Sequence, residues 1–336
     1  MRLKIPAIYC FVTLITYSLI TSGVYAFTID ANQQEQQTSN IEQTESKDTL
    51  AEKSPETKDN PAEANQNKTK KIKEDKHDSH QHQVVIKPPV DAFTQQQSDI
   101  EHYLAPDKVS PILVGSVKYL ITTNKHTTAI NKGVMVLIPD WQQSIASPNA
   151  VNQLQQNLPA YGWTTITLHP PHQPANYPSR AFTEQERSTE NSESLTSYGK
   201  KIAKIMQAVL EQAQSYPGVI IVVAEGSHSA VLLDIYQQAL VDAPSAMVML
   251  SSYMPTLPES DKLARQLAAT DYPIFDLYLK RDHRLVLNNA KLRKDYAKRA
   301  MKAYYRQKQL SNQVTGYYPK NSLTKEIIGW LSAIGW

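Results

Sequence analysis

The sequence predicts an α/β protein built on one doubly wound, mostly parallel sheet. Three observations predict it: continuous apolar runs typical of strands buried on both faces, helical segments between those runs, and turn residues at their boundaries. The clearest run, Val219 to Ala224, follows the turn signal Tyr216-Pro217-Gly218. Strands and helices alternate six times, and each helix returns the chain to the same edge of the sheet, which favours parallel pairing.

The first 85 residues carry no predicted core. Residues 1–26 have a basic start, an apolar stretch and the cleavage site Val24-Tyr25-Ala26, which are typical of a secretory signal peptide. An uncleaved N-terminal anchor is the alternative. Residues 27–85 are polar and charged, so we expect a disordered low-complexity linker. The expected location is therefore the periplasm or the extracellular medium. Cys10 is the only cysteine and would leave with the signal, so the mature chain would fold without disulfides.

Composition restricts the partners and cofactors. The formal net charge is only +3, which does not predict nucleic-acid binding. The sequence has no glycine-rich phosphate loop and no dinucleotide fingerprint, so we expect no cofactor. His77, His80 and His82 lie among acidic residues of the linker. A weak metal-binding tract is one interpretation, and a flexible charged tail is the favoured one.

The domain is expected over residues 86–336, and its first half alternates between helix and strand. The predicted elements are a helix over Gln95–Leu104, one or two strands within Ile112–Thr123, a strand over Val134–Ile138, a helix over Asn149–Leu158 and a strand over Thr164–Leu168. Residues 175–194 are polar and irregular, which predicts a surface loop or a lid.

The second half continues the same alternation. The predicted elements are a helix over Tyr198–Gln214, the central strand from Val219, a strand over Ala246–Leu250, a short helix over Leu263–Ala269, a strand over Pro273–Leu279, a basic helix over Leu287–Gln309, a strand over Gln313–Tyr317 and a helix over Ser322–Ala333.

The turn after the central strand contains the candidate nucleophile. It runs from Glu225 to Ser229 and precedes an apolar, helical segment, which is the layout in which a strained turn exposes a nucleophilic serine. Centring the motif G-x-S-x-G on Ser227 places Glu225 and Ser229 where glycines are expected. The spacing from the strand places Gly226 at the apex. The sequence therefore predicts this turn but breaks its motif.

The order of these segments resembles the α/β-hydrolase superfamily. The segments that carry the resemblance are the strand ending in Pro139-Asp140-Trp141, Tyr161-Gly162-Trp163 before the next strand, the elbow-like turn, and Ile327 to Leu331 in the last helix. The basic helix followed by Tyr305-Arg306-Gln307 resembles an uncharacterised bacterial branch of that superfamily, the domain-of-unknown-function family 3530. The resemblance covers about residues 95–336 and implies the fold, which does not by itself assign an activity.

The resemblance implies a triad in the chain order nucleophile, acid, histidine, for which Ser227, Asp282 and His228 are the candidates. The alternative role of Ser227 is an N-cap of the following helix. Asp282 lies where the family's acid is expected, and its alternative role is a turn aspartate paired with Arg281 or Arg284.

The base is the weakest member of this set. His228 lies in the turn itself, and no histidine follows His283. The loop expected to carry the histidine contains Tyr317-Tyr318, and a tyrosine with a pKa of about 10 is a poor base at neutral pH.

Two further histidines are expected near the same edge of the sheet. His169 and His172 follow the third strand, and ligands bind at the carboxyl ends of parallel strands. A loop or surface position is the more common role of such histidines. A metal hydrolase that uses both of them with His228 and Asp282 is conceivable, but no ligand spacing requires it, so no metal is expected.

The basic helix is interpreted in two ways. Its cations would dock on an anionic membrane surface, or they would form a solvated outer face whose long stems cover apolar neighbours. The second interpretation is favoured. Leu292, Tyr296, Ala300, Ala303 and Tyr304 are expected to pack on the sheet.

Three functional hypotheses follow. The preferred one is an exported α/β-hydrolase-fold protein with a degenerate catalytic site that acts as a binding or envelope-associated module. The alternative is a serine esterase or peptidase that uses Ser227 and Asp282 with a relocated histidine. The third is an interaction protein whose tail and basic helix carry the function. The sequence does not name a partner.

Overall fold

A computed structural model describes residues 88–336, which form an eight-stranded sheet with helices on both faces. The predicted signal peptide, residues 1–26, and the whole of the predicted linker, residues 27–85, lie outside the described residues, so both stay predictions. None of the helices in the described part of the chain combines the length and the apolar character that crossing a bilayer requires.

The strands and helices alternate as the apolar pattern predicts. The strands are β1 Val109–Val114, β2 Val117–Asn124, β3 Gly133–Ile138, β4 Trp163–Leu168, β5 Val219–Glu225, β6 Ala246–Leu250, β7 Ile274–Leu279 and β8 Tyr305–Leu310. The α-helices are α1 Ala92–Tyr103, α2 Ala150–Asn157, α3 Glu184–Ala213, α4 His228–Gln237, α5 Leu257–Ala268, α6 Arg284–Arg299 and α7 Ser322–Ala333.

The sheet order is β1-β2-β4-β3-β5-β6-β7-β8. The first two strands pair antiparallel, and β3 to β8 are parallel, with β3 between β4 and β5. This arrangement confirms the predicted doubly wound, mostly parallel α/β fold.

Both faces of β3 are buried, which explains why its sequence is continuously apolar. Val134, Val136 and Ile138 pack in the same cluster as residues of α3, α4 and α5. Met135 and Leu137 pack in the cluster that contains residues of α2 and α7. Alternate residues of one strand therefore hold two helical layers against the sheet.

The carboxyl ends of the parallel strands bring the candidate site together. Asp140 follows β3, Gly226 follows β5, Ser251 follows β6 and Asp282 follows β7. Because parallel strands end at one edge of a sheet, residues distant in the chain become neighbours there.

The prediction of a loop or lid over residues 175–194 is wrong for its second half. Helix α3 begins at Glu184, with Thr183 as its N-cap. The Thr183 hydroxyl accepts from the Glu186 N–H at 3.2 Å, and the Glu186 carboxylate accepts from the Thr183 N–H, a reciprocal capping box. The first turns of α3 are polar because they are exposed. Buried Asn191 connects them to the preceding loop, since its Oδ1 accepts a hydrogen bond from the Ser179 N–H at 2.7 Å.

The predictions for the basic helix and the last strand are also wrong in their bounds. Helix α6 ends at Arg299, two residues before Met301, which takes a positive φ of 49°. The last strand is Tyr305–Leu310 rather than Gln313–Tyr317. Ala300, Ala303 and Tyr304 are therefore exposed instead of packed on the sheet. An edge strand with basic residues lacks the apolar signal of a central strand. Its sequence pattern therefore does not distinguish it from a continuation of the preceding helix.

Candidate functional site

Gly226 forms the turn between β5 and α4. Its φ of +58° is a left-handed conformation that favours glycine. A Cβ atom at this position would overlap the Asp140 carboxylate, at Cγ and at both oxygens. The Asp140 side chain therefore fills the space that a side chain on residue 226 would need.

Asp140 lies across the end of β5. Its Oδ1 accepts a hydrogen bond from the Ser227 N–H at 3.0 Å, and its Oδ2 accepts one from the Tyr253 hydroxyl at 3.2 Å. Burial raises the pKa of the Asp140 carboxyl, and hydrogen bonds from the Trp141 and Ser227 N–H groups oppose that shift. The N–H groups at such a turn are natural anion donors, and a carboxylate of the chain itself occupies them.

Ser227 is fully buried, with an exposed fraction of 0 %. It occupies the N-cap position of α4, but its side chain makes no capping hydrogen bond. Its hydroxyl has no hydrogen-bond partner at normal geometry among the described residues. The structure therefore places the candidate nucleophile below the surface of the turn.

His228 points away from Ser227 into an aromatic cluster. Its Nδ1 lies 2.6 Å from the Pro139 carbonyl oxygen and its Nε2 lies 2.8 Å from the Tyr198 hydroxyl. The Trp141 ring meets the imidazole edge-on, with a centroid distance of 6.1 Å. Burial lowers the pKa of His228 to about 4, so the ring is neutral at pH 7. Both nitrogens are committed to groups other than the Ser227 hydroxyl.

Asp282 is held by hydrogen bonds from the ends of β6 and β7. Its Oδ2 accepts from the Ser251 hydroxyl at 2.6 Å and from the Leu279 N–H at 2.9 Å, and its Oδ1 accepts from the His283 N–H at 2.8 Å. These partners replace the arginines that the turn interpretation suggested. Asp282 makes no hydrogen bond to Ser227 or to His228.

Tyr318 takes the place next to Ser251 and Asp282. Its hydroxyl lies 2.7 Å from the Ser251 hydroxyl and 3.2 Å from the Leu277 carbonyl oxygen. Burial raises the pKa of Tyr318 well above its ordinary value, so the phenol keeps its proton at neutral pH. The hydrogen-bonded side chains of Tyr318, Ser251 and Asp282 therefore include no proton acceptor comparable to an imidazole.

Glu225 is the buried carboxyl at the end of β5. Only 6 % of the residue is exposed, and its Oε2 has no hydrogen-bond partner among the described residues. Burial, assisted by the negative charges of Asp140 and Asp282, raises the pKa of Glu225 to about 8. Glu225 therefore carries a proton at neutral pH and is a hydrogen-bond donor.

Glu225 lines a cavity of about 760 Å³, which we call the amide-lined cavity. Half of its sixteen lining residues are Asn or Gln, several of them on one face of α2. Tyr317, Tyr318 and Lys320 line it from the loop after β8. Ser227 is not among the lining residues, so the cavity and the candidate nucleophile do not meet.

His169 and His172 lie apart from this group, against α1. The His169 ring stacks on Phe93 with centroids 5.0 Å apart, and His172 Nε2 lies 2.9 Å from Gln96 Oε1. Across residues 88–336 no group of three or more His, Cys, Asp or Glu side chains is arranged to hold a metal ion.

Sequence reasoning missed Asp140, Ser251 and Tyr253 as parts of the site. Each of them comes directly after or shortly after the carboxyl end of a parallel strand. That position was the available signal, because side chains at these ends share one edge of the sheet.

Comparison with known protein families identifies the family to which the chain belongs. A family model described as "Protein of unknown function (DUF3530)" matches residues 9–333. The chain belongs to this family. The DUF3530 chain has the α/β-hydrolase fold, as its strand order shows, and the resemblance inferred from the sequence is confirmed.

Solved structures similar to this DUF3530 chain include esterases and a serine hydrolase homologue. Est1E from Butyrivibrio proteoclasticus is 9 % identical, with a TM-score of 0.48, over 67 % of this chain and 99 % of its own. A carboxylesterase from Lactobacillus plantarum is 10 % identical, with a TM-score of 0.48, over 68 % and 97 %. An alpha-beta serine hydrolase homologue from Coxiella burnetii is 8 % identical, with a TM-score of 0.45, over 69 % and 100 %. No curated protein sequence matches the chain significantly.

The buried Glu225 predicts an unusual pH dependence of stability. Its folded pKa of about 8 lies above its ordinary 4.5, so between these values the folded state holds a proton that the unfolded state has released. Stability should therefore fall as pH rises from 6.5 to 8.5, by at most about 1.4 kcal/mol per pH unit for this one group.

The histidines act in a different window. Burial lowers the pKa of His169 and His228 to about 4, so their contribution is lost as pH falls below 6.5. Urea unfolding at pH 6.5, 7.5 and 8.5 isolates the carboxyl effect. Glu225→Gln should flatten the dependence, and Glu193→Gln on the exposed face of α3 should leave it unchanged. Equal slopes for the wild type and Glu225→Gln would refute the assignment.

Proposed function

We propose that this DUF3530 protein is an exported, ligand-binding member of the α/β-hydrolase superfamily that has lost hydrolase activity. The observation that carries the proposal is the turn after β5. Gly226 has no nucleophilic atom, and the Asp140 carboxylate fills the space beside it. Export is inferred from the signal-like residues 1–26 and the linker that follows.

The position of Asp140 supports loss of acyl-transfer chemistry. In this fold the N–H of the residue after the nucleophile stabilises the oxyanion of the tetrahedral intermediate. Here that N–H belongs to Ser227 and donates to Asp140. A carboxylate at this point would repel a developing oxyanion and occupy its donor.

The remaining members of a triad are arranged for structure rather than proton transfer. A working nucleophile needs a base within about 2.6–3.2 Å and a third group that orients the base. Within residues 88–336 no imidazole or other base lies at hydrogen-bonding geometry to the Ser227 hydroxyl, and both His228 nitrogens lie against Pro139 and Tyr198. Asp282 is held by Ser251 and backbone N–H groups.

The test is reaction with a serine-directed fluorophosphonate probe, together with turnover of a panel of p-nitrophenyl esters. We expect no labelling and no turnover above the buffer rate, while an active serine esterase treated in parallel is labelled fully. The serine hydrolase alternative makes the opposite prediction for the native chain.

Two variants locate any reactivity that is found. Labelling that disappears in Ser227→Ala but persists in Ser251→Ala would overturn the proposal in favour of a hydrolase that uses Ser227. Ser251 is the suitable comparison because its half-buried hydroxyl already contacts the candidate acid.

A further inference from the structure

We infer that the amide-lined cavity binds a neutral, hydroxyl-rich ligand of the oligosaccharide class. This inference rests on the proposed function of ligand binding and gives it a ligand chemistry. The cavity volume of about 760 Å³ is within the range of small-molecule sites.

The first line of evidence is unused hydrogen-bonding capacity inside the cavity. Glu225 Oε2 and Gln143 Oε1 are both buried, and neither has a hydrogen-bond partner among the described residues. Both residues line the cavity. Buried polar atoms are normally satisfied, so two such atoms at one cavity point to a polar ligand that satisfies them. The protonated Glu225 would donate to a ligand hydroxyl, and Gln143 would accept from one.

The second line of evidence is the preorganised amide wall on α2. Asn149 Oδ1 accepts from the Asn152 N–H at 2.8 Å, and Asn152 Oδ1 accepts from Gln156 Nε2 at 2.9 Å. Each primary amide carries two donors and an acceptor, which matches the donor and acceptor character of sugar hydroxyls. Amides that are already held in place lose less side-chain entropy when a ligand binds.

The third argument is the scarcity of aliphatic and charged side chains in the lining of the cavity. Among the lining residues the aliphatic side chains are limited to Pro148 and Ala150, which leaves no pocket for an acyl chain or for large apolar side chains of a peptide. With Glu225 protonated, Lys320 is the charged residue that remains in the lining. The few aliphatic side chains favour a polar ligand over a lipid, and a single lysine is not the cluster of cations that binds a polyanion.

Tyr317 supplies an aromatic surface at the cavity. Its side chain is exposed, at 59 %, so the ring is free to lie against a ligand. A tyrosine has an apolar ring face and a polar hydroxyl, which suits the alternating C–H and O–H groups of a pyranose.

The experiment measures binding of neutral trisaccharides to the full chain at pH 7 by isothermal titration calorimetry. The probes are chitotriose, maltotriose and cellotriose, with a terminally blocked trialanine peptide and trisulfated maltotriose as comparisons. We expect at least one neutral trisaccharide to bind with a Kd below about 1 mM and both comparisons to bind at least tenfold more weakly.

Variants connect the binding to the cavity. Tyr317→Ala and Gln156→Ala, both at exposed positions, should each weaken the trisaccharide at least fivefold. Tyr304→Ala, at a comparably exposed tyrosine outside the cavity, should leave the Kd unchanged. Unchanged binding in both cavity variants would overturn the inference.

The remaining outcomes also decide. Failure of all three trisaccharides, or preferential binding of the blocked peptide or the sulfated sugar, would overturn the oligosaccharide assignment. If the fluorophosphonate result is negative at the same time, the proposed function survives and the ligand class alone is wrong. Labelling at Ser227 would refute the proposed function independently of any sugar titration.

Discussion

Replacing Gly226 with alanine should destabilise the domain by about 3 kcal/mol. An added Cβ overlaps the Asp140 carboxylate, and overpacking a filled site costs about 1–3 kcal/mol. The left-handed φ of +58° adds about 1–2 kcal/mol for any residue with a Cβ. For a domain of this size the melting temperature should fall by about 6–12 °C, measured by circular dichroism.

Two other glycines separate these contributions. Gly115 has a φ of +63° and nothing within 4 Å of its Cβ position, so Gly115→Ala measures the backbone cost alone, about 1–2 kcal/mol. Gly329 lies within α7 with open space around it, so Gly329→Ala should be neutral or stabilising by up to about 1 kcal/mol.

The clash with Asp140 is tested by removing the carboxylate. In an Asp140→Ala background, Gly226→Ala should cost about as much as Gly115→Ala does in the native chain, because the overlapping atoms are gone. The contradicting outcome concerns the native chain, in which Asp140 is present. If Gly226→Ala and Gly115→Ala destabilise that chain equally, Asp140 does not fill this space.

The sequence predicted those parts of the fold that an apolar pattern specifies. The strand Ala246–Leu250 and the helix Ser322–Ala333 were predicted at their observed bounds. Strand β8 was missed, since Arg306 and Lys308 lie on a partly exposed edge strand and its pairing with β7 comes from hydrogen bonds. Local periodicity does not contain information about such pairing.

The site was predictable only in part, for a similar reason. The spacing from β5 placed Gly226 at the apex of the turn, and its positive φ agrees. The hydrogen bond from Ser227 to Asp140 joins residues 87 positions apart, and its formation depends on β3 lying beside β5. Burial of Glu225, which moves its pKa, is likewise a property of the packed sheet.

The sequence also does not show that Arg293, one of the cations of the predicted basic helix, is buried, because its burial depends on the packed sheet. The sequence places it among the cations of a solvated outer helix, whereas it is fully buried. Its Nε and Nη2 atoms bind Asp276 at 2.8 and 3.0 Å, and its Nη1 donates to the Ser252 carbonyl and to Asn289 Oδ1, each at 2.7 Å. The pair is bidentate and fully desolvated.

Replacing Arg293 with methionine should therefore destabilise the domain by about 3–5 kcal/mol, because it leaves the Asp276 carboxylate buried without its cation. Tyr305 and Gln307 still donate to Asp276 Oδ2, at 2.9 and 2.8 Å, but neither carries a charge. Urea unfolding at pH 7 measures the loss. Lys294→Met, at an exposed position of the same helix, should change stability by no more than about 0.5 kcal/mol.

A double substitution separates the ion pair from simple packing. Removing both charges with Arg293→Met and Asp276→Leu leaves no uncompensated buried charge, and apolar replacement of buried pairs is often neutral or stabilising. The double variant should therefore be at least about 2 kcal/mol more stable than Arg293→Met alone. If the two losses simply add, the arginine acts through the volume that it fills, and the electrostatic interpretation of this network is wrong. Recovery in the double variant would show that the carboxylate at β7 makes a buried arginine necessary at this position of α6.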